Sequence, residues 1–306
     1  MTDEVGVSIE DIEQARELVN RLAVRTPMEE SRWLSALTGS PVLLKCENLQ
    51  RAGSFKIRGA FLRMSRLSDE ERARGVVAAS AGNHAQGVAL AARTLGIEAT
   101  VFMPEGAPIP KEKATREYGA NVVFHGRYLE DALVAAREFE ARTGAVLIHP
   151  FDNTDIVTGQ GTAGLEILEQ APEVETVVVP CGGGGLLSGI AIAVKARQPG
   201  VRVIGVQAEG AAAYPASLAA GHPIGLQSMS TMADGIAVGM PGKVTFAAVR
   251  DLVDEVITVS EASLSRAVLA TLERAKMVVE PAGAAAVAAI LDDPARFPTP
   301  TCHSTR

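Results

Sequence analysis

No pair of cysteines stands at metal-ligand or redox spacing. Cys46, Cys181 and Cys302 lie far apart, so neither a disulfide framework nor a zinc site is indicated, and reduced thiols packed as small core residues are expected. Basic residues nowhere form a run, and a net charge of −7 with a pI near 5.4 argues against nucleic acid or an anionic membrane as the main partner. No apolar run reaches membrane-spanning length. The N-terminus opens Met1-Thr2-Asp3-Glu4, acidic where a secretory signal is basic and then apolar, so a cytoplasmic location is expected. Internal repeats and low-complexity linkers are also missing. What remains is an ordinary globular composition: 306 residues, 47% of them hydrophobic, suit one large domain or two modest ones, with a small molecule as the expected partner.

The hydrophobic periodicity supplies the fold class. Ser8 to about Val24 reads as a helix, with Ser8 as cap and Ile12, Ala15, Leu18, Val19 and Leu22 on one face, and Pro41 to Cys46 as a short strand. Strand-like Gly75 to Ser80, Ala99 to Met103, Asn121 to Phe124 and Val146 to Ile148 alternate with helical Ala85 to Leu95, Lys111 to Tyr118 and Leu129 to Thr143. A second series follows. It comprises a helix over Thr162 to Glu169, a strand over Thr176 to Pro180, a helix over Leu187 to Arg197 and a strand over Val201 to Val206. Later come helices over Val244 to Val253, Ser263 to Lys276 and Pro281 to Ile290, with a strand over Glu255 to Val259. Strands alternating with helices across short turns mean an α/β protein with parallel sheets covered on both faces.

Two turns carry chemistry. In Gly53-Ser54-Phe55-Lys56-Ile57-Arg58-Gly59-Ala60 a lysine sits where a strand gives way to a helix. Burial there disfavours the ammonium and frees a nucleophilic amine, as a carbonyl cofactor requires, although the turn alone also suits a solvated lysine at a helix start. The second is Gly182-Gly183-Gly184-Gly185-Leu186, directly after an apolar strand and before a helix. Without side chains, its N–H groups can converge on a phosphate with the helix dipole behind them. It is neither a P-loop, lacking the Lys-Ser/Thr end, nor the G-x-G-x-x-G fingerprint, though Glu209 beyond the next strand leaves a nucleotide reading open.

Taken together, the Lys56 turn, Ser80-Ala81-Gly82-Asn83-His84-Ala85-Gln86-Gly87, the four-glycine turn, Ala233-Asp234-Gly235-Ile236-Ala237-Val238 and Val279-Glu280-Pro281-Ala282-Gly283-Ala284 resemble the serine/threonine dehydratases of the tryptophan-synthase-β-like (fold type II) pyridoxal-phosphate enzymes, over about residues 8–290. The resemblance implies two parallel-sheet α/β domains with the cofactor, pyridoxal 5'-phosphate, in the cleft between them. The larger comprises residues 1–50 and 146–306, the smaller 51–145. It implies Lys56 as the Schiff-base lysine and catalytic base, Phe55 beside the ring and Asn83 on the phenolic oxygen. The amides of Gly182, Gly183, Gly184, Gly185 and Leu186 hold the phosphate, and Gly235 and Glu280 lie near the ring and substrate. The N–H groups of Ser80, Ala81, Gly82, Asn83 and His84 grip the substrate carboxylate. Read locally, Glu280 before Pro281 also suits an acid at a helix N-terminus, Asn83 a left-handed turn, and His84 a helix start without chemistry. His125, His149 and His222 have no partner at ligand spacing.

The implied reaction is β-elimination of a 3-hydroxy amino acid, L-threonine or L-serine, to a 2-keto acid and ammonia, by a homodimer of the short form that lacks a regulatory domain. Relatives that racemise serine carry a serine where this chain has Ala81, which favours elimination; racemisation and a catalytically silent cofactor-binding chain are the alternatives. A cation site at Glu209 is doubtful, because no second carboxylate stands nearby in the loop. The chain also departs from the family after Ile290. Asp293 to Arg306 holds three prolines and no apolar run, and so cannot make the family's last buried strand. Only Cys302 or Ser304 is left to reach the pyridine nitrogen, and an exposed sheet edge with reduced stability and cofactor affinity is expected.

Overall fold

The computed structural model describes residues 6–127 and 129–297, so Cys302 and Ser304 lie outside the described residues. Helix α1 (Ile9–Val19) starts from a capping box in which Ser8 and Asp11 satisfy each other's free N–H groups. It buries Ile9, Ile12, Ala15 and Val19. A short hairpin-like pair, β1 (Met28–Glu30) and β2 (Leu43–Lys45), runs antiparallel around α2 (Arg32–Thr38).

The first α/β series follows as α3 (Lys56–Ser65), α4 (Asp69–Arg74), β3 (Val76–Ala79), α5 (Asn83–Leu95), β4 (Ala99–Met103), α6 (Ile109–Glu117), β5 (Asn121–Phe124), α7 (Leu129–Thr143) and β6 (Val146–Leu147). Its four strands form one parallel sheet in the order β5-β4-β3-β6. Every residue of β3 is buried, as befits a strand covered on both faces. Strand β6 lies parallel to β3, with Val146 opposite Val76 and Leu147 opposite Val77.

The second series is α8 (Thr154–Gln170), β7 (Thr176–Pro180), α9 (Gly185–Arg197), β8 (Arg202–Ala208), α10 (Ala213–Ala220), α11 (Lys243–Leu252), β9 (Glu255–Val259), α12 (Glu261–Ala270) and α13 (Pro281–Asp292). A parallel sheet of order β7-β8-β9 lies at its centre. Among the described residues β7 pairs only with β8.

Three helices differ from the sequence reading. Helix α1 ends at Val19, with Asn20 at its C-cap, rather than at about Val24. Helix α8 begins at Thr154, capped by Asn153 Oδ1, rather than at Thr162. Gly159, Gly161 and Gly164 weaken its local helical signal, but these glycines let neighbouring backbones come close. A Cβ on Gly159 would lie 2.5 Å from Gly59 Cα of α3, and one on Gly189 of α9 would lie 2.5 Å from Gly161 N. Helix α12 stops at Ala270. The chain then makes a π-helical turn over Thr271–Ala275 and leaves through Lys276 in the left-handed region (φ 58°). Cys46 and Cys181 are both buried free thiols.

Candidate active site

The carboxyl ends of β3 and β7 face one cleft, where ligands of open parallel sheets bind. A cavity of about 1180 Å³ takes in this cleft, where Lys56, the turn after β3, the glycine turn after β7, Gly235 and Glu280 line it, and runs on along β7 as far as Pro172 and Phe297. The motifs that are separate in sequence therefore meet at one place.

Lys56 opens α3, with Phe55 at the cap position. Its Nζ lies 5.3 Å from the Phe55 ring centroid and donates to the Pro150 carbonyl at 2.8 Å. Burial of the amine lowers its pKa to about 8, with the charge of Glu280 acting in the opposite direction. Pro150 is itself held by an interaction the sequence did not flag. His149 Nδ1 accepts from Phe151 N at 3.3 Å and from Asp152 N at 2.8 Å, fixing the loop whose carbonyl meets Lys56. His149, read as structural, thus supports the lysine indirectly.

The glycine turn is pinned from behind. Gly183 O accepts from Thr245 Oγ1 at 2.6 Å and from Tyr214 Oη at 3.3 Å, and Gly182 O from Gln207 Nε2 at 3.4 Å. With the carbonyls engaged there, the backbone of Gly182–Leu186 lines the cavity. The N–H groups of Gly185, Leu186 and Leu187, at the start of α9, have no acceptor within the helix. Gly184 adopts φ 95°, and a Cβ on Gly183 would strike the Phe151 ring. Side chains are excluded behind the turn, and donors of one kind remain in front of it. This backbone fits a phosphate, and with the amine of Lys56 in the same cleft the residues fit pyridoxal 5'-phosphate.

The turn after β3 differs in part from the expectation. Ser80 N donates to Phe102 O at 3.0 Å, continuing the ladder to β4, and Gly82 N donates to Ser80 Oγ at 3.1 Å. Neither N–H group is free for a carboxylate. The donors left by helix geometry are those of Asn83, His84 and Ala85, the first residues of α5, and Ala85 was not among the expected residues. Ala81, half-buried, lines the cavity. Asn83 is helical rather than left-handed, and its Nδ2 donates to Glu280 Oε1. Glu280 does precede α13 at the cap position, yet its side chain makes no capping bond and turns to Asn83 instead. A Cβ on Gly235 would lie 3.0 Å from Glu280 Oε1 and 3.8 Å from Asn83 Nδ2, so these three residues converge. His84 Nε2 lies 2.8 Å from Ile148 O, and burial, aided by the charge of Lys56, pushes its pKa down to about 3. A neutral, buried imidazole in that position braces the turn and is no base near neutral pH.

A family model for "Pyridoxal-phosphate dependent enzyme" matches residues 19–302. The chain belongs to that family. It is 50% identical over 286 residues to an L-threonine ammonia-lyase of Thermotoga maritima, covering 94% of this chain and 71% of the relative. Among solved structures, a threonine deaminase from the organism abbreviated T.th. superimposes with a TM-score of 0.90 at 44% identity, over 95% of this chain and 94% of that one. Maize serine racemase superimposes with a TM-score of 0.91 at 41% identity, over 94% and 87%. The fold is therefore the two-sheet α/β arrangement of fold type II enzymes, and the enzyme's cofactor is pyridoxal 5'-phosphate.

Proposed function

We propose that the enzyme is an ammonia-lyase that eliminates the β-hydroxyl of L-threonine or L-serine, giving a 2-keto acid and ammonia. The observation that carries this reading is Lys56, an amine held near pKa 8 in the same cleft as a phosphate-fitting glycine turn. Pyridoxal 5'-phosphate, held by the Gly182–Leu186 turn beside Lys56, would supply an electron sink for the pair left at Cα. Lys56 Nζ is the group that removes the Cα proton, and its lowered pKa lets it do so near neutral pH. The N–H groups of Gly182–Leu186 hold the phosphate, with Ser80 and Gly82 supporting a carboxylate site made by Asn83, His84 and Ala85. Phe55, Asn83, Gly235 and Glu280 flank the ring.

The likeness to a serine racemase makes racemisation the second reading. Position 81 opposes it. Ala81 lines the cleft with a methyl group and offers no proton to the opposite face of Cα. The division into a smaller unit around the four-stranded sheet and a larger one around the three-stranded sheet, the homodimer and the cytoplasmic location belong to the same proposal. The first is supported by two separate sheets, the second by the family likeness alone. The location is supported by the likeness to bacterial L-threonine ammonia-lyases; separately, no helix among the described residues is long and apolar enough to cross a membrane.

The test is 2-keto acid release by cofactor-saturated protein from L-threonine, L-serine and threo-3-hydroxyaspartate, alongside chiral analysis of residual serine. Release from the first two, abolished in Lys56→Ala, is expected. D-serine formed faster than pyruvate would replace this reading by racemisation, and a coloured protein with no turnover would leave a silent cofactor-binding chain.

A further inference from the structure

A lysine in the first turn of a helix meets the positive end of the helix dipole, so its position needs a partner from outside the helix. Lys111 is such a residue in α6, and its Nζ reaches across the cleft to Asp234 Oδ2 at 2.9 Å and Glu280 Oε2 at 3.5 Å. Burial opposes its charge, but the hydrogen bond it donates to Asp234 and the charge of Glu280 outweigh that and raise its pKa. On its other side the ammonium rests against the turn before α5, where a Cβ on Gly82 would lie 3.5 Å from Nζ. Glu280 also accepts from Asn83, so the ammonium on α6 bonds the loop of Asp234 and the start of α13 directly and is linked to the start of α5 through Glu280.

The elements it joins belong to different sheets. Helices α5 and α6 are connections within the β5-β4-β3-β6 sheet, whereas α13 packs on β7, β8 and β9. The catalytic lysine and the carboxylate donors at the start of α5 come from the first group, and Gly235 and Glu280 from the second. From this geometry we propose that Lys111 is a positioning residue, an ionic latch that sets the donors at the start of α5 against Glu280 and so fixes the seat of the substrate carboxylate. The proposal rests on the ammonia-lyase reading for its kinetic consequence. Lys111 touches no reacting atom in this assignment. Its loss therefore weakens amino-acid binding more than it slows the chemical step.

The test uses the cofactor-loaded enzyme and three variants: Lys111→Met, Asp234→Asn, and the reversed pair Lys111→Asp with Asp234→Lys. An aspartate in the first turn of α6 suits the dipole, so the reversed pair leaves the helix intact. For a partly exposed pair the expected effect of Lys111→Met is a rise in KM for L-threonine of about fivefold with a much smaller change in kcat, and Asp234→Asn should shift KM in the same direction. The reversed pair should recover a clear part of that loss. Hydrogen exchange at residues 80–86 without substrate should quicken in Lys111→Met and slow again in the reversed pair. An unchanged KM, a loss confined to kcat, or a reversed pair no better than Lys111→Met would overturn the latch. The exchange measurement separates the two ideas: altered protection in a protein that turns over no hydroxy amino acid would retain the latch and reject the ammonia-lyase reading.

Discussion

Arg58 is fully buried, two residues beyond Lys56, and its replacement gives the sharpest forecast of stability. Its Nε and Nη2 grip Glu47 at 2.9 and 2.8 Å, and its Nη1 and Nη2 grip Glu166 at 2.8 and 2.9 Å. Thr162 Oγ1 takes a further bond at 3.1 Å. Lys45 Nζ joins the group at 2.6 Å from Glu166 Oε2, so two cations face two carboxylates with no net charge. Burial opposes the guanidinium charge, but Glu47 and Glu166 overcome this and hold Arg58 protonated above its ordinary pKa. Arg58→Ala leaves two buried carboxylates with one cation, a loss of about 3–5 kcal/mol. Spread over the unfolding entropy of 306 residues, that corresponds to a fall in Tm of roughly 5–8 °C.

The sign of a second change tests the cause. Adding Glu166→Gln to Arg58→Ala restores charge balance between Lys45 and Glu47, so the double variant should melt above the single one. Calorimetry of the two proteins decides this. A single variant within about 1 °C of the parent, the scale of ordinary surface changes, would refute the charge-balance reasoning, as would a double variant that melts lower still.

Two further outcomes follow from the site. Lys56 has a pKa of about 8 against 10.5 for an ordinary lysine, so the neutral amine grows with pH up to that point. The rate of covalent capture of pyridoxal 5'-phosphate, followed by absorbance, should climb about tenfold per pH unit below 8 and level off above it, and levelling only near 10 would contradict the assigned burial. The unfolded chain holds this proton more tightly, so the same group makes stability rise with pH between about 8 and 10.5. Gly184→Ala forces a side chain onto φ 95° and against the Tyr214 hydroxyl, with a cost of about 1–3 kcal/mol and loss of cofactor on gel filtration. Gly39→Ala, at φ 74° with open space around it, is the control that should keep its cofactor.

Much of the fold was legible because local pattern and tertiary demand agree. Strands β4, β5, β7 and β9 and helix α7 fall where apolar runs and glycine stops place them. The start of α8 was hidden because three glycines there serve contacts with α3 and α9, which a reading of one segment does not contain. The motifs for Lys56, Asn83, Glu280 and the glycine turn stood out by residue type. Their supports did not: Lys111 and Arg58 look like surface cations until the fold brings Asp234, Glu47 and Glu166 beside them. The engagement of Ser80 N by Phe102 was likewise invisible, because a strand read over Gly75 to Ser80 does not say which strand lies beside it or in what register.

Where α3 crosses α8 at Gly59 and Gly159, the two backbones come so close that a Cβ on Gly159 would lie 2.5 Å from Gly59 Cα. Helices usually keep their distance through ridges of side chains sunk into grooves. Here bare backbone sets the spacing, while side chains at the margins, Gln160 Oε1 on Gly59 N and Glu166 on Arg58, set the orientation. The crossing therefore has no slack. Even one methyl group on Gly159 would prise the helix that begins with Lys56 away from the one that follows the Pro150 loop, and the lysine's bond to that loop would be the first to feel it.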